Sequence, residues 1–228
     1  MKRPITTLFM LMSIDGKITS GDSDELDSDK DWKTIVGVKE GIGQYYDLEQ
    51  CTDLWSLNSG RVMEKVGMND KAVAQFKSPV SFVIIDNKPH LNEKGILHLC
   101  SWLKQLVIVT TNKNHPAYAM NLDNLSILYQ EKFDGEKLLD ELASNYKVDR
   151  LTIQSGGSMN GYFLRHKCFD YLDIVIAPLL VGGKDTTSLI DGESITSSNQ
   201  LHLLSSCRLI EAQTLENSFV RLRYEVLK

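Results

Sequence analysis

The sequence predicts an α/β fold in which a mixed, mainly parallel sheet is covered by helices on both faces. Most of the chain alternates between short apolar runs and helix-like segments. The runs at residues 80–86 (VSFVIID) and 106–110 (LVIVT) are nearly continuously apolar, which is typical of strands buried on both faces. Two alternating runs, 201–215 and 219–226, are separated by Glu216-Asn217-Ser218 and predict a C-terminal antiparallel hairpin.

The first half of the chain begins with a predicted strand at residues 4–12 (PITTLFMLM), which is rich in β-branched and apolar residues. The polar stretch 13–34 predicts a loop, and a loop of this length in a compact domain is often functional. A helix is predicted at 35–50, a strand at 52–58, a turn at 59–61 and a short helix at 69–76. The buried strand at 80–86 precedes a weakly helical segment at 95–103.

The second half repeats the alternation. Strands are predicted at 106–110 and 125–129, and a helix at 134–145, where leucines recur at helical spacing and Asp134 is the expected N-cap. A strand at 151–154, a helix at 158–166 and a strand at 171–177 follow. No linker, repeat or low-complexity tract interrupts residues 1–228, so one domain is predicted.

Composition and charge narrow the function classes. The 228 residues are 42% hydrophobic and 24% charged, as in ordinary globular domains, and the net charge of −5 gives no general attraction to nucleic acid or an anionic membrane. The N-terminus has basic residues before an apolar run, but polar residues interrupt that run and no small-residue cleavage site follows. A buried strand is therefore favoured over a signal peptide.

The four cysteines, Cys51, Cys100, Cys168 and Cys207, are widely scattered and form no Cys-x-x-Cys pair. Zinc-ribbon and thioredoxin-type chemistry are therefore unsupported. We expect buried free thiols and a cytoplasmic protein.

Two glycine pairs flank one strand–helix–strand unit. Gly156-Gly157-Ser158 follows a predicted strand and opens a helix, and Gly182-Gly183 follows the next strand. Glycines let the backbone approach an anion, and helix N-terminal amides point at it, so the first pair predicts a phosphate cradle with Ser158 as N-cap or phosphate ligand. The alternative is a structural turn with tight helix–strand packing.

Sheets of this class bind ligands beyond the carboxyl ends of their strands. Glycines, hydroxyls and scattered cations dominate these positions, whereas no hydrolase triad or zinc motif is present. Such a site suits a phosphorylated cofactor that supplies the reactivity. Thr110 and Thr111 either bind a ligand or start a loop, and Arg61 and Lys113 either grip a phosphate, such as the 2′-phosphate of NADP, or are solvated. The five histidines show no metal-ligand spacing and receive no role.

The segment Ser13-Ile14-Asp15-Gly16-Lys17-Ile18 resembles the S-[LIV]-D-G-[KR] signature of the riboflavin-biosynthesis pyrimidine reductases, the RibD C-terminal domain family. Gly156-Gly157-Ser158-Met159-Asn160, followed by the run from Tyr171 to Gly183 (YLDIVIAPLLVGG), resembles the later signature of the same family. The order and spacing match across nearly the whole chain.

The resemblance implies a dihydrofolate-reductase-like, three-layer sandwich, usually a homodimer. It also implies hydride transfer from NADPH to the ribose C1′ of 5-amino-6-(5-phosphoribosylamino)uracil. Asp15, Gly16 and Ser155 would bind substrate, with Lys17 and Asp15 as candidate catalytic residues and Lys17 as proton or charge donor. The candidate cofactor-binding residues are Met12, Gly60, Arg61, Thr110, Thr111, Gly156, Gly157, Ser158, Met159 and Asn160.

Two departures affect the substrate more than the reaction class. Ser155 stands where family members often carry a substrate-binding glutamate, and no phosphoribosyl-binding arginine is evident around Lys88-Pro89-His90-Leu91. The alternatives are a reductase of the same fold for another pyrimidine- or pterin-like substrate, and a non-catalytic nucleotide-binding module. The residues do not decide between NADPH and NADH.

Overall fold

A computed structural model describes residues 2–228. The elements, in chain order, are β1 (Ile5–Ser13), α1 (Ser28–Asp31), α2 (Gly43–Glu49), β2 (Trp55–Ser59), α3 (Gly60–Lys65), β3 (Ser81–Ile85), α4 (Glu93–Trp102), β4 (Gln105–Thr110), β5 (Leu125–Tyr129), α5 (Gly135–Asn145), β6 (Arg150–Ile153), α6 (Gly157–Arg165), β7 (Tyr171–Ala177), β8 (Cys207–Thr214) and β9 (Val220–Val226). Single 3-10 turns lie at Trp32–Thr34, Met68–Asp70, Pro116–Ala119, Ser198–Leu203 and Glu216–Ser218.

The chain forms two compact units. The first unit comprises residues 2–4 and Asp53–Ser155, and the second comprises Ile5–Thr52 and Gly156–Lys228. The prediction of one domain stays a prediction.

The first unit is built on five strands in the order β5-β4-β3-β2-β6, and each neighbouring pair is parallel. Three successive residues of β3, Val83, Ile84 and Ile85, are buried, so both faces of this strand are covered. Ile84 belongs to a core cluster with Ile96 and Leu99 of α4. The continuous apolar run at residues 80–86 therefore reflects burial on both faces of β3, as the sequence predicted.

The second unit is mixed. Strand β1 pairs with β7 in parallel, from Thr7 opposite Tyr171 to Ser13 opposite Ala177, while β9 lies antiparallel between β7 and β8. The core on one face gathers Phe9, Trp32 and Phe219, with Phe9 stacked on Tyr45 at 5.1 Å between ring centroids. The predicted fold class, mainly parallel with a C-terminal antiparallel hairpin, is confirmed.

Several predicted boundaries were wrong. The helix expected at 35–50 is confined to α2, because Gly37 adopts a left-handed φ of +87° and Gly41 lies tightly against Phe219. The turn expected at 59–61 is the start of α3, which Ser59 caps through Val62 N–H. The helix expected at 69–76 is only the 3-10 turn Met68–Asp70, the first part of the 201–215 run is another 3-10 turn, and the 13–34 loop contains α1.

The caps give one confirmation and one correction. Asp134 caps α5 by accepting from Lys137 N–H, as predicted. Ser158 is not an N-cap, because α6 begins at Gly157 and Gly156 occupies the cap position without a side-chain hydrogen bond.

The cysteine prediction is half correct. Cys100 and Cys168 are buried, and burial raises the pKa of the Cys100 thiol to about 11. Cys51 and Cys207 are exposed, the latter because every residue of the edge strand β8 is exposed. Among residues 2–228, no helix combines the length and apolarity needed to cross a bilayer.

Candidate active site

In the second unit, the loop after β1 is held by the segment after β7. Asp15 accepts from the Ser13 hydroxyl at 2.6 Å and from the backbone N–H groups of Val181 and Gly182 at 3.1 and 2.6 Å. Ile14 N–H donates to Leu179 O at 2.9 Å. Residues of the two signatures that lie more than 160 positions apart in sequence therefore meet in three dimensions.

These contacts fix the protonation state of Asp15. The Ser13 hydroxyl is the main cause that lowers the pKa of Asp15 to about 2; slight burial opposes it, and the amides of Val181 and Gly182 lower it further. The carboxylate is ionised at neutral pH and does not donate a proton there. Asp15 can therefore act as a fixed negative charge that holds the loop after β1 in its conformation.

Lys17 is anchored to residues 184–191, which we call the strap. Its ammonium donates to Thr186 O at 2.7 Å and to Ser188 Oγ at 3.1 Å. Backbone bonds join the same two segments, from Ile18 N–H to Thr187 O and from Leu189 N–H to Gly16 O. Gly16 has a φ of +78°, which favours glycine. Two of the three Lys17 ammonium hydrogens are thus used by the chain itself.

The strap also packs against the start of α6. Asp191 N–H donates to Gly157 O at 3.0 Å, and the buried Asn160 amide donates to Leu189 O at 2.9 Å. A Cβ at Gly157 would overlap Asp191 Oδ2 and Ser188 O. Gly157 is therefore required by internal packing, and Asn160 positions the strap.

Gly156, by contrast, is open. A Cβ placed there would meet no atom within 4 Å, Ser158 is exposed and Met159 is half-buried. The cap position of α6 carries no side-chain hydrogen bond. An open glycine at a nine-residue helix N-terminus fits an anionic group such as a cofactor phosphate. Met12, one residue before the end of β1, is half-buried and pairs with Ile176.

In the first unit, the carboxyl ends of β2, β3 and β4 meet around Asp86. A Cβ at the buried Gly60 would overlap the Asp86 carboxyl group. Thr110 is fully buried and its hydroxyl donates to Asp86 O at 2.8 Å, while Thr111 N–H donates to Asn87 Oδ1. The Thr110 hydroxyl therefore serves the protein interior.

The remaining candidates of the first unit differ in exposure. Arg61 is exposed, and Ser155, two residues after β6, is buried at 2% exposure. The Lys113 ammonium lies 5.5 Å from the centroid of the Tyr129 ring.

Two histidines without a predicted role bind Asp86. His90 Nδ1 lies 3.0 Å from Asp86 Oδ1, and the fully buried His115 Nε2 lies 3.1 Å from Oδ2. The backbone N–H groups of His90 and Leu91 also donate to the carboxylate. The available sequence signal was an aspartate at the end of a buried strand with a histidine four residues later. Among residues 2–228, no group of His, Cys, Asp and Glu is suited to a metal ion.

Comparisons with known sequences agree with these motifs. The sequence model of the RibD C-terminal domain family matches residues 56–219 of this chain. The riboflavin biosynthesis protein RibD of Bacillus amyloliquefaciens is 38% identical over 199 residues, covering 85% of this chain and 51% of that protein. The 2,5-diamino-6-ribosylamino-4(3H)-pyrimidinone 5′-phosphate reductase of Aquifex aeolicus is 32% identical over 78 residues, or 34% of either chain. The matches thus span about half or less of these relatives.

Solved structures agree on the fold. RibD of Acinetobacter baumannii superposes with a TM-score of 0.69 at 16% identity, covering 99% of this chain and 59% of that chain. The riboflavin biosynthesis reductase Rib7 of Saccharomyces cerevisiae superposes with a TM-score of 0.63 at 14% identity, covering 99% and 90%. At such identities the likeness establishes the dihydrofolate-reductase-like fold alone.

Proposed function

Because this chain belongs to the RibD C-terminal domain family, we propose that it is an NADPH-dependent reductase of 5-amino-6-(5-phosphoribosylamino)uracil in riboflavin biosynthesis. The observation that carries the proposal is the convergence of the family signatures in the second unit. The Ser13–Lys17 loop, the glycines after β7 and the start of α6 are joined by Asp15, Lys17 and Asp191. Such a network holds a ligand-binding surface in one geometry before binding, which reduces the entropic cost of binding.

The start of α6 is our proposed site for the cofactor diphosphate. Gly156 leaves space for it, the exposed Ser158 offers a hydroxyl, and the helix N-terminus favours negative charge. Met159 is proposed to line this site, whereas Gly157 and Asn160 support it through the strap. A bound dihydronicotinamide supplies the hydride.

The remaining candidate cofactor- and substrate-binding residues lie partly in the second unit and partly in the first. In the second unit, Met12 is proposed to contact the cofactor, Asp15 and Gly16 to shape the substrate surface, and Lys17 to supply positive charge. In the first unit, Gly60, Arg61, Thr110 and Thr111 are proposed cofactor contacts, and Ser155 a substrate contact. Thr110 would act through its backbone, since its hydroxyl is bound to Asp86 O.

The substrate proposal follows relatives that are named for a ribosylaminopyrimidine 5′-phosphate. The second candidate is a reductase of the same fold for another pyrimidine- or pterin-like substrate, which the replacement of the expected glutamate by Ser155 favours. A homodimer in the cytoplasm remains part of the proposal, and light scattering after size exclusion tests the dimer.

The test is a spectrophotometric assay at 340 nm with NADPH and NADH against a panel of pyrimidine and pterin substrates. We expect oxidation of NADPH with the phosphoribosylaminouracil. Oxidation with a different substrate would favour the second candidate. Tight NADPH binding without turnover on any substrate would favour a non-catalytic nucleotide-binding module.

A further inference from the structure

The turn after β3 contains a histidine whose orientation is fixed from behind. Asp86 is 1% exposed, whereas the His90 side chain is 29% exposed. His90 Nδ1 faces Asp86 Oδ1 at 3.0 Å. Because the two imidazole nitrogens lie on opposite sides of the ring, Nε2 points away from the buried carboxylate. Asn69 holds the same turn from the other side by donating to His90 O at 2.8 Å.

The hydrogen-bond network assigns the protons. His115 Nδ1 accepts from Ala117 N–H at 3.1 Å, so its proton resides on Nε2 and is donated to Asp86 Oδ2. Asp86 further accepts the backbone N–H groups of His90 and Leu91. A carboxyl group surrounded by donors is ionised, so His90 Nδ1 carries a proton toward it. Its Nε2 is then the nitrogen available to a ligand.

The electrostatics agree with this assignment. Burial raises the pKa of Asp86, but the hydrogen bonds from His115, from the Leu91 and His90 amides and from the His90 ring outweigh it, and the pKa lies below its ordinary value. The fully buried His115 uses both ring nitrogens in hydrogen bonds. Besides the histidines, the charged groups on α3, the turn at Met68–Asp70, residues 87–92 and α4 are Arg61, Glu64, Lys65, Asp70, Lys88, Glu93 and Lys94; Lys65 is half-buried and the others are exposed. The charge in direct contact with the His90 ring is the Asp86 carboxylate.

The position of the pair points to chemistry. Asp86 follows the carboxyl end of β3, and it contacts Gly60 after β2 and Thr110 at the end of β4. Ligands of parallel sheets bind at this edge. The arrangement, a buried carboxylate holding an imidazole whose far nitrogen faces outward, is the one by which enzymes orient a histidine for proton transfer.

We propose that His90 is the proton donor of the reduction, with Asp86 as its positioning residue, a proposal that rests on the proposed function. A bound dihydronicotinamide would supply the hydride for the new C–H bond at the electrophilic substrate carbon and would be left in its oxidised form. The electron pair of the carbon–heteroatom bond moves to the heteroatom, which takes the Nε2 proton of the His90 imidazolium. Neutral His90 keeps its Nδ1 proton toward Asp86 and recovers the other proton from water.

The test compares His90→Gln with His98→Gln, a matched control on α4 whose Nδ1 contacts Ala72 O. General acid catalysis contributes roughly 10²–10⁴-fold, so we expect His90→Gln to slow single-turnover reduction at least about 100-fold with little change in KM. The wild-type rate should fall as pH rises, because only the protonated imidazole carries a proton on Nε2 to donate. His90→Gln should lose this dependence, and His98→Gln should keep both rate and profile.

A second readout needs no activity. We expect the ¹⁵N NMR shifts of the neutral His90 imidazole in the cofactor-free protein to show the proton on Nδ1, because Nδ1 faces Asp86 Oδ1 at 3.0 Å. Asp86→Asn should weaken this tautomer preference, because the ring loses its anionic partner. An unchanged His90 tautomer in Asp86→Asn, or a His90→Gln variant with the rate and pH profile of wild type, would overturn the role of His90 alone. A wild-type protein that reduces no substrate would instead overturn the proposed function and, with it, this role.

Discussion

Gly156→Asp tests the proposed cofactor site at the start of α6 without disturbing the fold. Gly156 has extended backbone with φ of −70° and ψ of 159°, and a Cβ there meets no atom within 4 Å. Aspartate is a preferred N-cap residue, so α6 should be unchanged or more stable by a few tenths of a kcal/mol. The new carboxylate would stand where we propose that a cofactor phosphate binds.

The magnitude follows from Coulomb's law. Two unit charges about 4 Å apart repel by about 1 kcal/mol in water and by about 4 kcal/mol at an effective dielectric constant of 20. Since about 1.4 kcal/mol is tenfold in affinity, the dissociation constant for NADPH should rise at least about fivefold. The matched control is Gly156→Asn, which has the same size and capping ability without the charge.

The assay is a fluorescence titration with NADPH at low and high salt, together with urea unfolding of each variant. We expect Gly156→Asp to bind more weakly than Gly156→Asn, with a difference that shrinks as salt screens the charges. Equal affinity of the two variants at low salt would refute a phosphate site at Gly156.

Gly157→Asp is a poorer test, although the sequence alone predicts that a carboxylate there would repel the pyrophosphate. A side chain at Gly157 would overlap Asp191 and Ser188 of the strap. Overpacking of this kind costs about 1–3 kcal/mol of stability. Weaker NADPH binding would then report a displaced strap as much as a repelled phosphate.

Three further outcomes concern stability and are read from urea unfolding. Asp173→Asn should cost about 2 kcal/mol, because the buried carboxylate accepts two hydrogen bonds from Arg221. Glu141→Gln should cost less than about 0.5 kcal/mol, because half-buried Glu141 pairs with exposed Lys137 at 3.8 Å. Equal losses in the two variants would contradict this. Gly60→Ala should destabilise the protein by about 1–3 kcal/mol, because the new Cβ would overlap Asp86. The control Gly43→Ala has open space around its Cβ and should be neutral or stabilising by up to about 1 kcal/mol. An unchanged stability of Gly60→Ala would disprove the close contact between Gly60 and Asp86. The pKa of Asp86 is lower in the folded protein than the ordinary aspartate value of about 3.9, so its ionisation adds stability above that pH. This stability is lost as pH falls through the folded-state pKa. Below about pH 4 the free energy of unfolding should therefore fall less in Asp86→Asn than in wild type.

The elements that local pattern determines could be predicted. β5 and β7 match their predicted bounds, which their apolar runs indicated. α5 matches with its cap, because its buried residues recur at helical spacing. The segment at 35–50 shows the limit of this reasoning. Its helix begins only at Gly43, after Gly37 with its left-handed φ of +87° and after Gly41, which lies against Phe219, a residue far along the chain.

The site shows the same division. The glycine pair was visible in the sequence, but its two members differ because the strap, some 30 residues later, packs on Gly157 and leaves Gly156 open. The interaction of Asp86 with His115 spans 29 positions and leaves no periodic signal. The spacing of the histidines in the sequence does not predict a metal site. The role proposed for His90 depends on its contact with the buried Asp86 carboxylate, which the sequence alone did not predict.

The most direct test of the proposed function is the oxidation of NADPH at 340 nm by the purified protein in the presence of 5-amino-6-(5-phosphoribosylamino)uracil, with the ribitylamino product identified by mass spectrometry. We predict stoichiometric loss of absorbance and a product heavier than the substrate by two hydrogens. NADPH that stays reduced with this substrate and with the rest of the pyrimidine and pterin panel would contradict the assignment as a reductase.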